Sequence, residues 1–596
     1  MITPDLETFG RLSRQGNLVA LVQRVMSDQL TPVLAYRRLV SPDERTAPSF
    51  LLESVEGTST VGRYSLLGSR PIMEILARGH SVTVVNHDRG TSETTRETDP
   101  LSVPRRLTAS WRRVGPPAVA RGDPAAPFTG GWVGYVGYDT ARYAEPEKLP
   151  FTAAPADDRN LPDMHLGLYR TVAVFDHVDK VLYAICHVLI DEHGSADAAW
   201  HAGRDELDRF VRRLMTHTDG LPAGTIDLDL AALPAVPPAG NFAREDFEAA
   251  VRTCKQYIAA GDAFQIVLSQ RFERRTSADP FEIYRALRVV NPSPYMIYLQ
   301  ASGSILVGAS PEILCRSRGS LVTNRPLAGT RPRGATPEED RDLARELLAD
   351  EKERAEHAML VDLGRNDLAR VCLPATVQVQ RVMEVERYSH VMHLSSTITG
   401  RLAEGVDCWA ALRATLPVGT VSGAPKVRAM QIIDELEPTR RGPYAGGIGA
   451  VGFEGDMDMA LALRTMVIPT ARRDDGDWTV HLQAGAGIVA DSVPSREYQE
   501  TVEKAAALGR AIDLAESVFG GGKEGGGEID RENRPGLFFG QRPRRLMWSP
   551  AEKLSRSIFP VYFPRRRPVQ STPADAPGSL RDRGRARRPG SEPRPC

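Results

Sequence analysis

Two segments far apart in the chain each carry a pair of glutamates three residues apart, Glu353 with Glu356 and Glu497 with Glu500. Positions i and i+3 of a helix share one face, so each pair would present two carboxylates together. Two such helices facing each other would suit a hard divalent ion, above all Mg²⁺, which keeps several waters and takes few protein ligands. Solvated helix faces carry the same pattern, so the pairs alone leave both interpretations open.

Polar and glycine-rich segments stand before, between and beside these pairs. Glycine-rich backbone can approach a ligand closely, while His and Glu can transfer protons and Arg can hold an anion. The mixture predicts a small anionic substrate held by metal, Arg and backbone amides. The segments are Gly-Ala-Ser-Pro-Glu (308–312), the Arg-rich loop 324–334, Tyr-Ser-His-Val-Met-His (388–393), Gly-Thr-Val-Ser-Gly-Ala-Pro-Lys (419–426) and Gly-Ala-Gly-Ile-Val-Ala-Asp-Ser (485–492).

The first part of the chain, residues 1–218, has the composition of a strand-rich unit. A Pro-, Ala- and Gly-rich stretch at 219–240 predicts a linker. β-Branched and apolar runs predict a set of strands and a hairpin across 177–180, followed by a helix over about 195–215. The predicted strands are Val33–Leu39, Ser49–Glu53, Ser81–Val85, Val172–Asp176 and Val181–His187.

Residues 241–519 alternate between helical and strand patterns and form the second predicted unit, which would carry the chemistry. Thr336, followed by Pro337 and Glu339, is typical of a helix N-terminus with a capping box. The patterns predict helices over 243–260, 337–363 and 493–516, and strands over 264–273 and 295–301.

Charge is distributed unevenly along the 596 residues, whose formal net charge is −1. Residues 520–596 hold 17 Lys and Arg against 8 Asp and Glu, so residues 1–519 carry about −10. The acidic body has no general attraction for nucleic acid. The Gly-, Arg- and Pro-rich tail 520–596 has too few apolar residues for a core and is predicted to be disordered.

The six cysteines are scattered, with no C-x-x-C motif, which favours a reducing compartment over a zinc or disulfide scaffold. The first residues, Met-Ile-Thr-Pro-Asp, do not resemble a signal peptide. No apolar run approaches the roughly 20 residues of a membrane span. We therefore expect a cytoplasmic protein without membrane or nucleic-acid partners.

Taken in order, these motifs closely resemble the chorismate-utilising enzymes, and among them the large subunits (component I) of anthranilate synthases. The resemblance covers residues 10–516 and includes Leu-Leu-Glu-Ser (51–54) and Gly-Gly-Trp-Val-Gly-Tyr-Val-Gly-Tyr-Asp (130–139). It implies an α+β fold in which large antiparallel sheets form a sandwich with helices outside. The first unit would be regulatory and the second would bind chorismate.

Two positions separate this chain from other branches of the family. Enzymes that add water to chorismate have a Lys base where this chain has Gln265, and an amide cannot act as a base at neutral pH. Aminodeoxychorismate synthases generally have a nucleophilic Lys where this chain has Ala328, and a methyl group cannot attack the ring. Direct attack of ammonia is the route that remains. Aminodeoxychorismate synthase or another chorismate aminator stays as the alternative enzyme, and a tryptophan-sensing protein without catalysis as the alternative outside enzymes.

The resemblance also implies a role for each motif residue. Glu356 and Glu500 would bind Mg²⁺ directly, with Glu353 and Glu497 holding its waters. Glu312 would protonate the leaving hydroxyl, which requires a raised pKa. His393 would help to remove the C2 proton; a lone His is more typical of a core, but its place in this motif favours the catalytic role. Thr420 and Gln265 complete the catalytic set, and the substrate would contact Gly329, Thr330, Tyr444, Arg464, Gly485, Ala486 and Gly487.

A second site for the inhibitor tryptophan is implied where the two units meet, although plain sheet core explains the same segments. It would use Glu53, Ser54, Pro294, Tyr295 and Met296. Because no Gly-x-Cys-x-Gly segment of a glutaminase occurs in the sequence, we expect a separate glutamine amidotransferase subunit (component II) to supply ammonia.

Overall fold

Two large antiparallel sheets make up most of the described chain. The computed structural model describes residues 2–41, 47–54, 62–115, 128–216, 221–222, 224–226, 228, 240–388 and 391–519. The predicted tail 520–596 and most of the predicted linker 219–240 lie outside these residues. None of the described helices is both long and apolar enough to cross a membrane.

Eleven α-helices lie in the described residues. They are α1 (Leu6–Leu12), α2 (Pro32–Leu39), α3 (Val103–Leu107), α4 (Ala196–Met215), α5 (Arg244–Ala259), α6 (Pro280–Val290), α7 (Pro337–Ala349), α8 (Glu351–Ala369), α9 (Cys408–Thr415), α10 (Lys426–Leu436) and α11 (Pro494–Phe519).

The strands of the described residues follow in chain order. They are β1 (Ile2–Thr3), β2 (Leu18–Met26), β3 (Ser49–Glu53), β4 (Tyr64–Ser69), β5 (Met73–Arg78), β6 (Ser81–Asn86), β7 (Thr91–Arg96), β8 (Arg113–Val114), β9 (Gly131–Val136), β10 (Met164–Tyr169), β11 (Thr171–Asp176), β12 (Val181–Leu189), β13 (Gln265–Thr276), β14 (Tyr295–Ala301), β15 (Ser304–Ser310), β16 (Ile313–Arg318), β17 (Leu321–Arg325), β18 (Leu327–Pro332), β19 (Gln378–Arg387), β20 (Val391–Arg401), β21 (Gly423–Ala424), β22 (Gly447–Gly452), β23 (Met457–Leu461), β24 (Thr465–Pro469) and β25 (Trp478–Ile488).

The first sheet has the order β1-β2-β12-β11-β4-β3-β14-β15-β24-β25-β13-β21, with β8 beside β2. The second has the order β18-β20-β17-β16-β23-β22-β9-β10-β5-β6-β7, with β19 beside β20. Apart from the short parallel pair β2–β8, the pairings are antiparallel. Strands from both halves of the chain enter both sheets, since β3 pairs with β14 and β9 pairs with β22.

Apolar side chains fill the space between the sheets. Phe50, Ile185 and Leu299 of the first sheet and Val133 and Ile448 of the second belong to one buried cluster. Helices α4, α6 and α11 cover the outer face of the first sheet, and α8 and α9 cover the second. Strands covered on both faces need apolar residues at nearly every position. The α+β sandwich with helices outside is confirmed.

One predicted strand is wrong, because residues 33–39 form helix α2. Thr31 is its N-cap and accepts a hydrogen bond from Leu34 N, and Pro32 occupies the first turn. Val33, Tyr36 and other buried residues recur at helical spacing. The Thr-Pro start, a typical helix N-terminus, outweighs the β-propensity of the apolar run.

The helix predicted over 337–363 is two helices, α7 and α8. The chain is extended at Asp350 (φ −69°, ψ 109°), whose side chain accepts hydrogen bonds from Lys352 N and Glu353 N. Asp350 is therefore the N-cap of α8, and an Asp in that role ends one helix and starts another. The predicted cap of α7 is confirmed, because Thr336 accepts from Glu339 N.

Candidate active site

The first glutamate pair lies in the opening turns of α8, directly after the Asp350 cap. Glu356 Oε1 accepts a hydrogen bond from Gln265 Nε2 at 2.8 Å, which ties α8 to the start of β13. Glu353 Oε1 lies 3.4 Å from Arg331 Nη1. Burial, followed by the neighbouring charge of Glu356, raises the pKa of Glu353. The predicted shared face of this pair is therefore half-buried rather than a solvated surface.

The second pair lies in the first two turns of α11. Glu500 Oε1 pairs with Lys504 Nζ at 2.7 Å, and Lys504 also donates to Gly485 O at 3.0 Å. Burial raises the pKa of Glu497, with a further contribution from Glu500, while Lys352 of α8 acts in the opposite sense. The N-terminal turns of α8 and α11 are thus close enough for their charges to interact.

Carboxylates held near each other in partly buried positions suit a divalent cation electrostatically. The raised pKa values of Glu353 and Glu497 reflect such repulsion as well as burial. Within the described ranges, no three Asp, Glu, His or Cys side chains are gathered closely enough to enclose a metal by themselves. Carboxylate is the donor type that Mg²⁺ prefers, so the residues present fit this ion in chemistry, and magnesium binding by the two glutamate pairs stays a prediction.

Glu312 follows β15 and is only 4 % exposed. Its Oε1 accepts a hydrogen bond from Thr420 Oγ1 at 3.1 Å. Burial raises the pKa of the Glu312 carboxyl to about 8, although the hydrogen bonds from Thr420 and from the Leu327 backbone oppose the shift. At neutral pH the carboxyl is therefore protonated, as the role of an acid requires.

His393 lies on β20, opposite Thr330 of β18. Its Nδ1 is 2.9 Å from Gly329 O and 3.1 Å from Thr330 Oγ1. Since a carbonyl only accepts, Nδ1 carries the proton and Nε2 has a free lone pair. Burial lowers the pKa of His393 to about 4, and the positive charges of Arg464 and Lys504 act in the same direction. The imidazole is neutral and can accept a proton.

Gly329 allows β18 to approach α8 closely. Its φ is +64°, and the register of β18 against β20 shifts between Ala328 and Thr330. A Cβ at this position would lie 3.0 Å from a Leu347 methyl carbon and 3.1 Å from Glu353 Oε2. The glycine is therefore required both by the left-handed backbone and by the close approach of the Glu353 carboxylate.

Gly485 and Gly487 lie inside β25, so they are strand residues and not turn residues. A Cβ at Gly485 would lie 3.0 Å from Tyr444 OH, and one at Gly487 would lie 2.7 Å from Gln265 Nε2. Ala486 lies between them in the apolar cluster of α5 and α10, as strand alternation requires. The two glycines leave room for the side chains of Tyr444 and Gln265.

Arg464 lies between β23 and β24, with a left-handed φ of +47°. Non-glycine residues adopt this conformation at a cost of about 1–3 kcal/mol and often at functional sites. The Arg464 carbonyl accepts a hydrogen bond from Ala309 N, three residues before Glu312. Ala445 N donates to Ala462 O, which brings the turn that carries Tyr444 beside the segment between β23 and β24.

The predicted residues therefore fall into contacting groups. Glu312 touches Thr420, His393 touches Gly329 and Thr330, and Gln265 touches Glu356 and approaches Gly487. Lys504, Arg331 and the buried pair Glu437–Arg441 were missed by the sequence analysis. Lys504 could have been found from its i+4 spacing to Glu500, which is the typical helical ion-pair spacing.

The segments predicted for the inhibitor lie together on the first sheet, where Glu53 of β3 is paired with Met296 of β14. Glu53 is 6 % exposed, accepts a hydrogen bond from Tyr284 OH at 2.6 Å and forms an ion pair with Arg288, whose Nε lies 2.8 Å from Glu53 Oε1. Tyr295 OH donates to Asp458 Oδ1 at 3.0 Å. An inhibitor ammonium would have to share Glu53 with these partners, so tryptophan binding stays a prediction.

Comparisons with known proteins show which family this chain resembles. The family model for chorismate binding enzyme matches residues 48–510. Anthranilate synthase alpha subunit 1, chloroplastic, of Oryza sativa subsp. indica is 54 % identical over 84 % of this chain and 89 % of that protein. Anthranilate synthase component 1 of Acetivibrio thermocellus is 40 % identical over 87 % and 100 %.

A crystal structure of anthranilate synthase component I from Streptococcus pneumoniae TIGR4 has a TM-score of 0.63 to this chain at 36 % identity, covering 82 % of this chain and 99 % of that one. The range matched by the family model, 48–510, contains the two glutamate pairs, Glu312 and His393. Sequence identities of 36 %, 40 % and 54 % exceed what a shared fold alone would give. The chain belongs to the chorismate-binding enzymes and, within them, to the anthranilate synthase component I family.

Proposed function

We propose that this chain is the large subunit of an anthranilate synthase, which converts chorismate and ammonia to anthranilate and pyruvate in tryptophan biosynthesis. The observation that carries the proposal is the buried Glu312 carboxyl, whose pKa of about 8 keeps it protonated beside Thr420. A protonated acid at this place can assist loss of a hydroxyl group. The names of the similar proteins support the same reaction.

In the proposed first step ammonia forms a bond to C2 of chorismate as the ring double bonds shift and the C4–O bond breaks. Glu312 gives its proton to the departing oxygen, which leaves as water. The Thr420 hydroxyl donates to Glu312 Oε1 and so keeps the acid's proton on the other oxygen. The added nitrogen then loses a proton, which restores Glu312.

Gln265 is placed to hold the incoming ammonia. Its Nε2 is fixed by Glu356, while its Oε1 is buried without a hydrogen-bond partner among the described residues. An amide oxygen can accept an N–H from ammonia and leave the nitrogen lone pair free to attack. It cannot deprotonate water, so the site favours ammonia over water as the nucleophile.

His393 serves the second step, in which the enolpyruvyl C–O bond breaks and pyruvate leaves. With Nδ1 bound to Gly329 O, the lone pair of Nε2 accepts the C2 proton as the ring becomes aromatic. Aromatisation makes proton loss strongly favourable, so a base of low pKa is sufficient. The same low pKa lets His393 release the proton readily before the next turnover.

Glu356 and Glu500 would hold Mg²⁺, and Glu353 and Glu497 would bind its waters. When bound, Mg²⁺ neutralises the ring carboxylate of chorismate. Arg464 would pair with the carboxylate of the enolpyruvyl group, and Tyr444 would donate a hydrogen bond beside it. These contacts would hold the ring between Glu312 and His393. Holding the reacting groups in this orientation lowers the activation barrier.

Aminodeoxychorismate synthase is the second candidate, because it aminates the same substrate. The position of its nucleophilic Lys holds Ala328 on β18, which has no nucleophilic atom. The neutral His393 beside the ring also favours continuation to the aromatic product. The two activities differ in their product, which is fluorescent anthranilate in one case and a non-aromatic amino acid in the other.

With chorismate, Mg²⁺ and a high ammonium concentration at alkaline pH, we expect the purified chain to form anthranilate and pyruvate. With glutamine in place of ammonium we expect no product until a glutamine amidotransferase subunit is added, because the chain has no glutaminase nucleophile segment. Anthranilate fluorescence and a coupled pyruvate assay measure both. Full glutamine-dependent activity of the chain alone, or an aminated product without pyruvate, would contradict this assignment.

We place the enzyme in the cytoplasm, as its scattered reduced cysteines favour. Five cysteines lie buried and unpaired in the described residues. The rice relative is named chloroplastic, so the compartment differs among similar proteins. We also propose tryptophan as a feedback inhibitor bound near β3 and β14.

Ser54 provides a test of that inhibitor site. Its Oγ is buried without a hydrogen-bond partner in the described residues, directly after Glu53. We expect Ser54→Ala to raise the tryptophan inhibition constant about tenfold, the value of one hydrogen bond to a charged group, without changing kcat in the absence of tryptophan. The matched control is Ser304→Ala, which removes another partnerless buried hydroxyl on β15. Equal inhibition of wild type and both variants would place the inhibitor elsewhere.

A further inference from the structure

A fully buried ion pair, Glu437 with Arg441, lies in the turn that follows α10. Arg441 Nη2 is 2.6 Å from Glu437 Oε1, and Nε is 2.9 Å from Oε2, so the contact is bidentate. The side chains are 1 % and 3 % exposed. Neither residue contacts the expected reacting atoms, and no role follows for them from the mechanism above.

The pair connects two segments that carry site residues, β13 and the segment around Thr420. Arg441 Nη2 donates to Val267 O on β13 at 2.7 Å, and Nη1 donates to Val421 O at 2.6 Å. Glu437 Oε1 accepts from Ser269 N at 2.7 Å and from Ser269 Oγ at 2.9 Å. Val267 and Ser269 follow Gln265, and Val421 is the neighbour of Thr420.

The same contacts reach the glycine strand and the tyrosine. Ser269 is opposite Gly485 in the β13–β25 ladder, and Val267 is opposite Gly487. The Arg441 guanidinium carbon lies 5.9 Å from the Tyr444 ring centroid, a cation–π distance. The guanidinium–carboxylate unit thus directly contacts β13, Val421 and the Tyr444 ring, and it reaches β25 through the pairing of β25 with β13.

Stability alone is a weak reason for such a pair. Desolvating two charges is costly, and well-packed apolar residues of similar volume often serve a core equally well. A guanidinium offers something that apolar side chains lack, which is a planar set of directional donors. Its value here is the fixed geometry that it imposes on the backbone carbonyls of Val267 and Val421.

The chain contains a matched pair without these contacts. Arg142 is also 1 % exposed and binds Asp434 of α10 through two hydrogen bonds of 2.8 and 2.9 Å, and Asp139 through a third of 2.6 Å. These hydrogen bonds join α10 to the 138–143 segment, and none of them is made with a predicted site residue. It therefore has the same chemistry and burial without the connection to the site.

We propose that Arg441 and Glu437 are positioning residues, which hold Gln265, Thr420 and Tyr444 in the arrangement that the reaction requires. The inference rests on the proposed function of the site. It predicts that loss of the bidentate geometry affects turnover more than folding, because small misplacements of reacting groups are expensive.

Arg441→Lys keeps the positive charge and removes the fork. We expect it to lower kcat/KM for chorismate by about 10- to 100-fold, the effect typical of residues that orient a site, with the larger part in kcat. Arg142→Lys removes an equivalent fork, and we expect its kcat/KM to stay within about twofold of wild type at a similar loss of Tm. Anthranilate formation with saturating ammonium and thermal unfolding measure the two quantities.

A second pair of variants covers the case in which Arg441→Lys fails to fold. Glu437→Gln and its control Asp434→Asn each remove one buried negative charge and keep the shape. If the Arg441 or Glu437 variant loses activity only in proportion to its Tm, as its control does, the pair is structural and the inference is wrong. Failure of the wild-type chain to make anthranilate would instead refute the proposed function.

Discussion

Glu312→Gln is expected to lower kcat for anthranilate formation by about 1,000-fold, the middle of the range for general acid catalysis. Glutamine has nearly the same shape and can still accept the hydrogen bond from Thr420. It has no proton to give to the departing C4 oxygen. Chorismate binding should be retained, so the effect falls on kcat and not on KM. Steady-state kinetics with ammonium as the nitrogen source measure both constants.

The pH profile gives this prediction a second readout. Because the pKa of Glu312 is raised to about 8, the wild-type rate should fall as the pH rises through that value. Free NH₃, not total ammonium, must be kept constant, since its concentration rises with pH. The residual rate of Glu312→Gln should lack this alkaline limb. An identical limb in the variant would assign the titration to another group.

The same carboxyl affects the stability of the fold. In the folded chain Glu312 keeps its proton up to about pH 8, whereas the pKa of an unperturbed Glu is 4.5. Between these values the folded state binds more protons than the unfolded state, so this group's contribution to stability decreases as the pH rises. Glu312→Gln should therefore remain folded at pH 8, where its loss of rate can be measured on native protein.

Asp163→Asn is the matched control. Asp163 is buried, and its pKa is raised to about 7, again by burial first. Its Oδ2 accepts a hydrogen bond from Gly79 N at 2.6 Å and its Oδ1 lies 3.8 Å from Arg440 Nη1, and neither partner is a predicted site residue. Its replacement should leave kcat within about twofold of wild type. If Asp163→Asn lowered kcat as much as Glu312→Gln does, the loss in Glu312→Gln would reflect the removal of a buried acid from the fold and not the loss of a catalytic proton donor.

Local features of the fold could be predicted from sequence because neighbouring residues determine them. The β11–β12 hairpin, the Thr336 cap and the i, i+3 spacing of both glutamate pairs each depend on a few consecutive positions. The wrong strand at 33–39 has the same local origin, because the apolar run favours a strand while the Thr-Pro start just before it favours a helix. The break between α7 and α8 is also determined by neighbouring residues, because Asp350 caps α8 through Lys352 N and Glu353 N.

Contacts between distant parts of the chain could not be predicted in this way. Arg441 reaches Val267 across 174 residues, and Gln265 reaches Glu356 across 91. No periodicity or turn pattern encodes such pairs, because they arise only when α8, β13 and the turn after α10 pack together. The resemblance to a family predicts a set of site residues, but not that Gln265 donates a hydrogen bond to Glu356 or that Glu53 forms an ion pair with Arg288.

Glu500→Gln tests the proposed magnesium site. A neutral amide is a weaker ligand for a hard cation than a carboxylate. We therefore expect Mg²⁺ affinity, measured by calorimetry in the presence of chorismate, to fall by at least about 100-fold, the upper range for changes beside a metal ligand. Anthranilate formation should fall with it at low Mg²⁺, and EDTA should abolish the activity of the wild type.

Because Glu500 also forms an ion pair with Lys504, the test needs a control on the same helix. In the structure Lys504 Nζ pairs with Glu500 Oε1, so the variant also frees a positive charge next to Gly485. Glu503→Gln on the same helix is the control, because its exposed carboxylate accepts only from Gln499 among the described residues. We expect Glu503→Gln to bind Mg²⁺ as wild type does. If chorismate turnover proved indifferent to EDTA, or if both variants bound Mg²⁺ equally well, the glutamates on α8 and α11 would not be metal ligands.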